Sequence, residues 1–468
     1  MQSQNMTQER NPLGYMPVTR LLMKFSIPAV IAMIVNSIYN IVDQIFIQRS
    51  ADGSLGNQAT TVAFPLITFT LALSTLIGNG GCAIASIKMG EKDEETANRI
   101  LGNSFVLVVA SELILVVLSL IFFEPLLKLL GASPEVMPYA KNYISIILIG
   151  TVFMGIGSGL SGFIRADGAP NISMMSLVVG CVLNVVLDPI FIFGFDMGVT
   201  GAAWGTIISQ IVTAIITMWY LLFKGKDIRL NLRKIDIDIK LMVKACGLGI
   251  SSFVTQFANS IVQICMNNLL LHYGNLSDVG GNTAMTAMGI VLKVNALLIG
   301  ICVGIGTGAQ PIWGYNMGAG YYRRVRETFV KSVAVSTTIS TIGWLIIKFF
   351  PEVLLSIFGN NDPAMIDFAC KTMRTFLGLV LVAGFNIVLG GYFQATGHAV
   401  AAFIMSMSRQ IIALLPLLFI LPLFWGLDGI LYAGFYADVI ALAIGVTLAA
   451  RELVTLNKKI KSEESASG

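Results

Sequence analysis

The stretch NVVLDPIFIFGFDMGVTGAAWGTIISQ, residues 184–210, decides the fold class because it holds two apolar runs that can each continue as a membrane-spanning helix. Together with the residues on either side, each run is long enough to cross a bilayer as an α-helix, which takes about 20 residues. Asp188 nevertheless stands inside the first run and is followed by Pro189, which cannot donate a backbone hydrogen bond. A carboxyl group at membrane depth is costly and normally faces a partner or a cavity. The stretch therefore predicts two membrane helices that carry a polar site.

The whole chain has the composition of a protein that is solvated by lipid. Its 468 residues are 55% hydrophobic and 12% charged, with a mean hydropathy of +0.79, whereas soluble domains contain about 25% charged residues. The apolar runs are continuous, so they do not have the alternation of a transmembrane β-barrel. The first 15 residues are polar and contain no apolar run that ends in a cleavage site, so we expect no cleaved signal peptide. The composition predicts an all-α polytopic membrane protein.

Apolar windows of about 20 residues predict twelve transmembrane helices. Their approximate limits are 20–48, 58–88, 100–123, 138–164, 172–194, 199–223, 241–271, 283–316, 328–350, 364–395, 400–423 and 429–451. An even number of spans places both termini on one side. With the termini inside, 22 of the 30 basic residues fall on the inner side and 6 on the outer side. The positive-inside rule therefore predicts that both termini are cytoplasmic.

The chain repeats itself after 228 or 229 residues. GFIRADG (162–168) aligns with GYFQATG (391–397), GVTGAAWG (198–205) with GLDGILYA (426–433), and Met89-Gly90 with Met317-Gly318. A shift of six spans preserves orientation, so we predict two parallel six-helix repeats, a plan that transporters commonly use. The predicted parts are a cytoplasmic N-terminal tail (1–17), an N-lobe (18–223), a cytoplasmic linker (224–240), a C-lobe (241–452) and a cytoplasmic C-terminal tail (453–468).

Polar residues on three spans of the first half are predicted to lie at one depth. Asp43 lies on span one, Asn184 and Asp188 lie one turn apart on span five, and Thr206 lies on span six. At about 1.5 Å per residue, Asp43, Asp188 and Thr206 are each roughly 8–9 Å below the outer surface. Asn36 and Asn40 share a helix face with Asp43 and are candidates for polar support of the site.

Two carboxyl groups that are close in a low-dielectric medium cannot both stay ionised without a cation. We therefore expect either a shared proton or a Na⁺ ion held by carboxylate, amide and hydroxyl oxygens, which are ligands that suit hard cations. A purely structural role remains an alternative for each residue. The second half lacks this pattern, because Asp43 maps near Cys265 and Asp188 maps to Pro416. We expect no other metal and no cofactor.

The other polar features of the spans have simpler interpretations. Arg409 and Asp438 lie on adjacent spans at similar depths, which favours a structural ion pair, whereas Glu112 has no obvious partner. The segments GNGGCA (78–83) and GIGTGA (304–309) lack the lysine of a phosphate-binding loop. Their glycines are more typical of close helix packing, and the sequence predicts no enzyme.

Four motifs together resemble the multidrug and toxic compound extrusion (MATE) family, and its bacterial MepA-like and DinF-like branch in particular. The motifs are YNIVDQIFI in span one, IRADGAPN after span four, NVVLDPIFIFGFDMGVTGAAWGTIISQ across spans five and six, and QATGHA after span ten. The resemblance covers residues 18–452. It implies two six-helix lobes in a V shape, which rock so that a central cavity faces each side of the membrane in turn.

The resemblance also implies a cation-coupled antiporter, driven by H⁺ or Na⁺, that exports lipophilic and mostly cationic organic compounds from a bacterium across its inner (plasma) membrane. The family's cation-binding residues fall on Asp43, Asn184, Asp188 and Thr206. Candidates for the substrate cavity are apolar residues that could instead be lobe packing, and one lysine: Met33, Phe64, Phe153, Met154, Phe376, Phe385 and Lys293.

Two other functions remain open at this stage. A flippase for a lipid-linked precursor would share the architecture but would favour a cavity rich in Arg and Lys, of which only Lys293 and Arg409 are available within the spans. A membrane-embedded enzyme would need a reactive carboxyl pair that works without an ion gradient. We expect small drug-like molecules and membrane lipid as partners, no nucleic acid, and a monomer.

Overall fold

The computed structural model describes residues 11–356 and 363–467, so the predictions for residues 1–10 of the N-terminal tail and for residue 468 lie outside the described residues. In this part of the chain there are twelve long helices, which we number α1–α12. They are α1 Val18–Gln48, α2 Gly53–Gly90, α3 Glu94–Ile121, α4 Met137–Ala166, α5 Pro170–Gly194, α6 Gly198–Lys224, α7 Ile239–Asn275, α8 Gly281–Gly318, α9 Tyr322–Phe349, α10 Pro363–Phe376 with Val380–Ala395, α11 Ala399–Ile420 and α12 Pro422–Ser467. Short helices at Pro12–Tyr15, Phe123–Leu129 and Pro351–Ser356 lie between them.

The predicted all-α fold with twelve spans is confirmed, although one span is broken. Eleven of the described helices are long and apolar enough to cross a membrane, and α10 completes the set as a pair of helices bent by 49°. The last helix begins earlier than predicted and kinks at Gly426, where φ is 56°. It then continues as a helix through the predicted C-terminal tail to Ser467.

The repeat found in the sequence is also present in the backbone. Gly168 and Gly397, which are aligned by the repeat, have φ angles of 87° and 86°. Gly198 and Gly426, also aligned, have φ angles of 55° and 56°. Positive φ angles of this kind are readily adopted only by glycine. The same turns therefore recur in both halves, as expected for two parallel six-helix repeats.

The two halves meet along two seams, α2 against α7 and α1 against α8. A Cβ atom at Gly80 of α2 would lie 1.9 Å from the carbonyl oxygen of Ala245 on α7. A Cβ atom at Gly308 of α8 would lie 2.6 Å from the Cα atom of Ser26 on α1. The interpretation of GNGGCA and GIGTGA as close-packing segments is thus confirmed, because these backbones approach more closely than any side chain would allow.

Asp167 fixes the start of the linker against the first half. Its side chain is 2% exposed and accepts a hydrogen bond from the Tyr220 hydroxyl at 2.6 Å. It also accepts bonds from the backbone N–H groups of Lys226, Asp227 and Ile228, each at 2.8 Å. Buried backbone N–H groups need hydrogen-bond acceptors. The Asp167 carboxylate supplies them here, in place of water.

Candidate ion-binding site

Asn184 connects the polar groups of α5 and α6. Its amide nitrogen donates to Asp188 Oδ1 at 3.1 Å and to Thr206 Oγ1 at 3.3 Å. Asn184 is 1% exposed and Asp188 is fully buried. The spacing of one helical turn explains the first contact, and the common depth of α5 and α6 explains the second. The structure therefore brings together three of the four residues that the sequence predicts for the site.

The close approach of α6 to Asp188 requires a glycine. A Cβ atom at Gly205 would lie only 2.4 Å from Asp188 Oδ1. Immediately after Asp188, the helix widens into a π-helical turn over Ile190–Gly194, beginning next to Pro189. The Asp188 carboxyl group thus packs against Gly205 of α6 and lies two residues before the irregular end of α5.

Asp52, which the sequence analysis missed, positions the start of α6. Its Oδ2 atom accepts a hydrogen bond from the backbone N–H of Val199 at 2.6 Å. A Cβ atom at Gly198 would lie 2.0 Å from the same oxygen. An acidic side chain at a helix N-terminus satisfies free backbone donors and complements the helix dipole. Asp52 therefore fixes the N-terminal end of α6, which lies two helical turns before Thr206.

The Asp43 side chain on α1 lies near the Asp188 carboxyl group, close enough for the two carboxyl groups to interact electrostatically. Asp43 Oδ1, Asn184 Oδ1 and Asp188 Oδ2 are buried and have no hydrogen-bond partner among the described residues. All three are acceptor oxygens, and buried acceptors normally have partners. A proton or a small hard cation at this point would satisfy them, so the residues present fit either H⁺ or Na⁺.

Two tyrosines near the carboxyl pair were also missed. Tyr39 of α1 and Tyr143 of α4 interact electrostatically with both Asp43 and Asp188. The sequence offered one signal, because Tyr39 precedes Asp43 by one helical turn. Tyr143 could not have been found in this way, since only the packing of α4 brings it near.

The expected polar support from Asn36 and Asn40 is not seen. Both residues are exposed, and the Asn40 side chain donates at 2.6 Å to the backbone carbonyl of Asn36 on its own helix. Helical spacing puts both residues on the face of α1 that carries Asp43. The carboxyl group of Asp188 on α5, however, lies near Asp43, which is further along α1 than either asparagine. They are therefore not part of the cluster in this structure.

The candidate substrate residues of the first half occupy different environments. Met33 lies at the α1–α8 seam, where a Cβ atom added to Gly300 would lie 3.8 Å from the Met33 Cβ atom. Phe64 is 58% exposed. Phe153 packs against a buried apolar cluster that both halves contribute to, and the Met154 carbonyl accepts a hydrogen bond from the Ser158 hydroxyl. Their role in substrate binding stays a prediction.

In the second half, Phe376 is 2% exposed and belongs to the main apolar cluster, so its ring serves packing rather than an open surface. Phe385 packs against a second cluster. Lys293 is exposed on α8, and no ion pair of its side chain is present within residues 11–356 and 363–467.

The remaining intramembrane charges have protein partners. The predicted ion pair is confirmed, since Arg409 Nε lies 2.6 Å from Asp438 Oδ1. Glu112, for which the sequence offered no partner, accepts a hydrogen bond from the Ser74 hydroxyl at 3.0 Å. The other Glu112 oxygen is buried without a partner among the described residues.

Comparison with known families agrees with this architecture. The sequence model of the family described as MatE matches residues 28–190 and 252–420, one segment in each half. The chain belongs to the MatE family. The first segment contains Asp43, Asn184 and Asp188, whereas Thr206 lies outside both matched segments.

Curated relatives align over nearly the whole MatE chain. Multidrug export protein MepA of Staphylococcus aureus is 27% identical over 433 residues, which cover 90% of this chain and 91% of the relative. The protein of the same name from Staphylococcus saprophyticus is 27% identical over 444 residues, covering 93% and 95%.

Solved structures have the same fold. The MATE multidrug transporter DinF-BH, solved as a complex with a ligand, is 33% identical with a TM-score of 0.86, and the match covers 95% of this chain and 97% of that one. An outward-facing MATE family transporter of the MOP superfamily is 22% identical with a TM-score of 0.89, covering 97% and 99%. The predicted V-shaped, two-lobed fold is confirmed by these neighbours.

Proposed function

We propose that this MatE protein is a multidrug efflux antiporter driven by H⁺ or Na⁺. The observation that carries the proposal is the set of three buried oxygens, on Asp43, Asn184 and Asp188, that have no partners among the described residues, beside the hydrogen bonds that join Asn184 to Asp188 and Thr206. Intramembrane carboxyl groups of this kind mark ion pathways and proton relays.

The site can act as a switch because its charge depends on occupancy. When it is empty and ionised, the two carboxylates repel each other in a medium of low dielectric constant. A proton or Na⁺ between them removes most of that repulsion and allows α1 to pack against α5. A ligand that binds one conformation better shifts the population toward it, so the ion gradient can bias the position of α1.

Alternating access is supported by the two seams. Gly80 and Gly308 lie toward the C-terminal ends of α2 and α8, and the positive-inside rule predicts that these ends face the cytoplasm. This arrangement corresponds to a protein that is closed on the cytoplasmic side. Export then requires these seams to open and the outer ends of the lobes to approach each other.

The substrate class rests on the relatives. Proteins named multidrug export protein MepA and the MATE multidrug transporter DinF-BH are similar over at least 90% of this chain. We therefore propose lipophilic, mostly cationic organic compounds as substrates of a transporter that acts as a monomer. It would lie in a bacterial plasma membrane with both termini in the cytoplasm.

The alternatives have less support. A flippase for a lipid-linked precursor would need cationic side chains for its phosphates. Of the two basic residues that the sequence analysis assigned to membrane depth, Arg409 is already paired with Asp438, and Lys293 alone does not make a cavity rich in basic side chains. An enzyme would need the carboxyl pair to react with a substrate, whereas Asp188 is fully buried.

The deciding experiment is transport of a fluorescent organic cation in proteoliposomes with pH and Na⁺ gradients imposed separately. We expect one gradient to drive transport in the wild type, and Asp43→Asn and Asp188→Asn each to lower the rate at least about tenfold. Asp196→Asn is the matched control, because Asp196 is exposed in the connection between α5 and α6. Wild-type rates in both site variants, or transport that needs no gradient, would overturn the proposal.

A further inference from the structure

A crevice opens where α1 of the first half meets α8 and α9 of the second half. It has a volume of about 250 Å³, and its walls include Met23, Ile27 and Ile31 from α1 and Ile305 and Ile339 from the second half. The three α1 side chains are 51%, 55% and 43% exposed, respectively. The crevice is therefore an open apolar slot on the flank of the molecule.

The slot has almost no group that could bind a polar ligand. Ser26 is the polar residue in its lining, and the Ser26 hydroxyl already points to the carbonyl oxygen of Ile305 at 3.4 Å. The floor is the tight α1–α8 seam, where a Cβ atom at Gly304 would lie 2.6 Å from the Cα atom of Val30. Only an apolar chain fits such a surface.

The mouth of the slot is basic. Arg20 and Lys24 lie on the same face of α1 as Ile27 and Ile31, at spacings of four, seven and eleven residues. Both basic side chains are exposed, and neither has an ion pair within the described part of the chain. Lys331 of α9 lies across the mouth, where it contacts Thr19 of α1 at 2.7 Å and is paired with Glu327 of α9, so the unpaired positive charge of the mouth is that of Arg20 and Lys24.

The dimensions match one lipid leaflet. Leu22 and Ile31 line the two ends of the α1 wall, and nine residues of helix span about 14 Å. Half of a hydrocarbon core is about 15 Å thick. The charged mouth then lies at the level of the headgroups, on the side of the membrane where anionic lipid attracts basic residues.

We propose that this crevice is a binding site for one anionic phospholipid, with an acyl chain between α1 and α9 and its phosphate at Arg20 and Lys24. The occupant touches both halves of the protein, because α1 belongs to the first half and α8 and α9 to the second. A ligand that binds this arrangement stabilises it relative to arrangements in which the seam has parted. The site does not depend on the proposed transport function.

The test measures lipid binding to the purified full-length protein by native mass spectrometry. Phosphatidylglycerol and phosphatidylcholine with identical acyl chains are titrated separately. We expect the wild type to bind the first phosphatidylglycerol more tightly than phosphatidylcholine. At about fivefold per basic residue near an anionic surface, Arg20→Gln with Lys24→Gln should reduce this preference by up to about 25-fold.

Two further variants separate the slot from general charge effects. Arg233→Gln with Lys234→Gln removes the same charge from exposed positions of the linker and should keep the preference. Ile31→Trp fills the slot and should lower the binding of both lipids while the protein stays monodisperse. Equal binding of the two lipids to the wild type, equal loss of preference in the linker control, or unchanged binding in Ile31→Trp would each overturn the proposal.

Discussion

Gly90 and Gly318 make the same contact in opposite directions across the boundary between the two halves. A Cβ atom at Gly90 would lie 2.0 Å from the carbonyl oxygen of Tyr315, and one at Gly318 would lie 1.9 Å from the carbonyl oxygen of Ile87. Both the glycines and the carbonyl residues are separated by the 228 residues of the repeat. The C-terminal ends of α2 and α8 therefore pack backbone to backbone around a local two-fold axis.

This contact predicts that Gly90→Ala and Gly318→Ala will part the ends of α2 and α8. Each added methyl group overlaps a backbone oxygen, and overpacking of this kind typically costs about 1–3 kcal/mol. We expect faster hydrogen–deuterium exchange at the ends of both helices. Gly306→Ala is the control, because Gly306 lies on α8 with nothing within 4 Å of an added Cβ. Exchange as slow in the two variants as in Gly306→Ala would show that the contact does not hold the ends together.

A second prediction concerns Gly205, which faces Asp188. In Gly205→Ala the new Cβ would lie 2.4 Å from Asp188 Oδ1, so the carboxyl group must move and its hydrogen bond from Asn184 is lost. We expect gradient-driven transport to fall at least about tenfold although both carboxyl groups remain, since small displacements within a preorganised site are costly. Gly247→Ala, with nothing within 4 Å of its Cβ, should transport normally. Normal transport by Gly205→Ala would argue against a functional role for this geometry.

The parts of the site that the sequence predicted are those set by local geometry. The contact of Asn184 with Asp188 follows from helical spacing, and its contact with Thr206 follows from counting depth along two helices joined by a short turn. The bond from Val199 to Asp52 joins residues 147 positions apart. No periodicity in the sequence reports such a contact, because it depends on how α2 packs against α6.

Two details of the structure lie beyond what composition and spacing can predict. Asn36 and Asn40 share a helix face with Asp43, but spacing on one helix does not reveal which neighbour that face meets. The limits of span ten follow from its apolar composition, whereas the bend between Phe376 and Val380 does not. Composition determines whether a segment enters the membrane, and packing against other helices determines its path there.

A third prediction concerns Asp227 in the linker, outside the membrane helices. Burial raises the pKa of its carboxyl group above the ordinary value of 3.8, and the negative charges of Asp167 and Glu94 raise it further. The folded protein then binds this proton more tightly than the unfolded chain does. Stability therefore decreases as the pH rises from 3.8 through the raised pKa.

In Asp227→Asn this loss of stability should be absent. The Asn side chain can still accept the hydrogen bond that Asn11 donates to Asp227. We expect the melting temperature of the variant to exceed that of the wild type at about pH 7 and the difference to shrink toward about pH 4. Differential scanning fluorimetry across this range is the measurement. A lower melting temperature of the variant at neutral pH would contradict the prediction.

The last prediction concerns the pair of Arg409 and Asp438, in which the Asp438 side chain is 1% exposed and the Arg409 side chain 24% exposed. Removing either partner leaves the other charge buried and uncompensated, which typically costs about 3–5 kcal/mol. We expect Arg409→Gln and Asp438→Asn to destabilise the protein strongly and the double variant to be less destabilised than the two effects combined. The free energy of unfolding in mixed micelles gives the coupling from a double-mutant cycle. The matched control is the exposed pair of Lys371 and Asp428, which has the same 2.6 Å separation and side chains that are 52% and 43% exposed. This pair should show a coupling of about 1 kcal/mol or less. A coupling for Arg409 and Asp438 that does not exceed the control value would mean that the pair is held by its surroundings rather than by its charges.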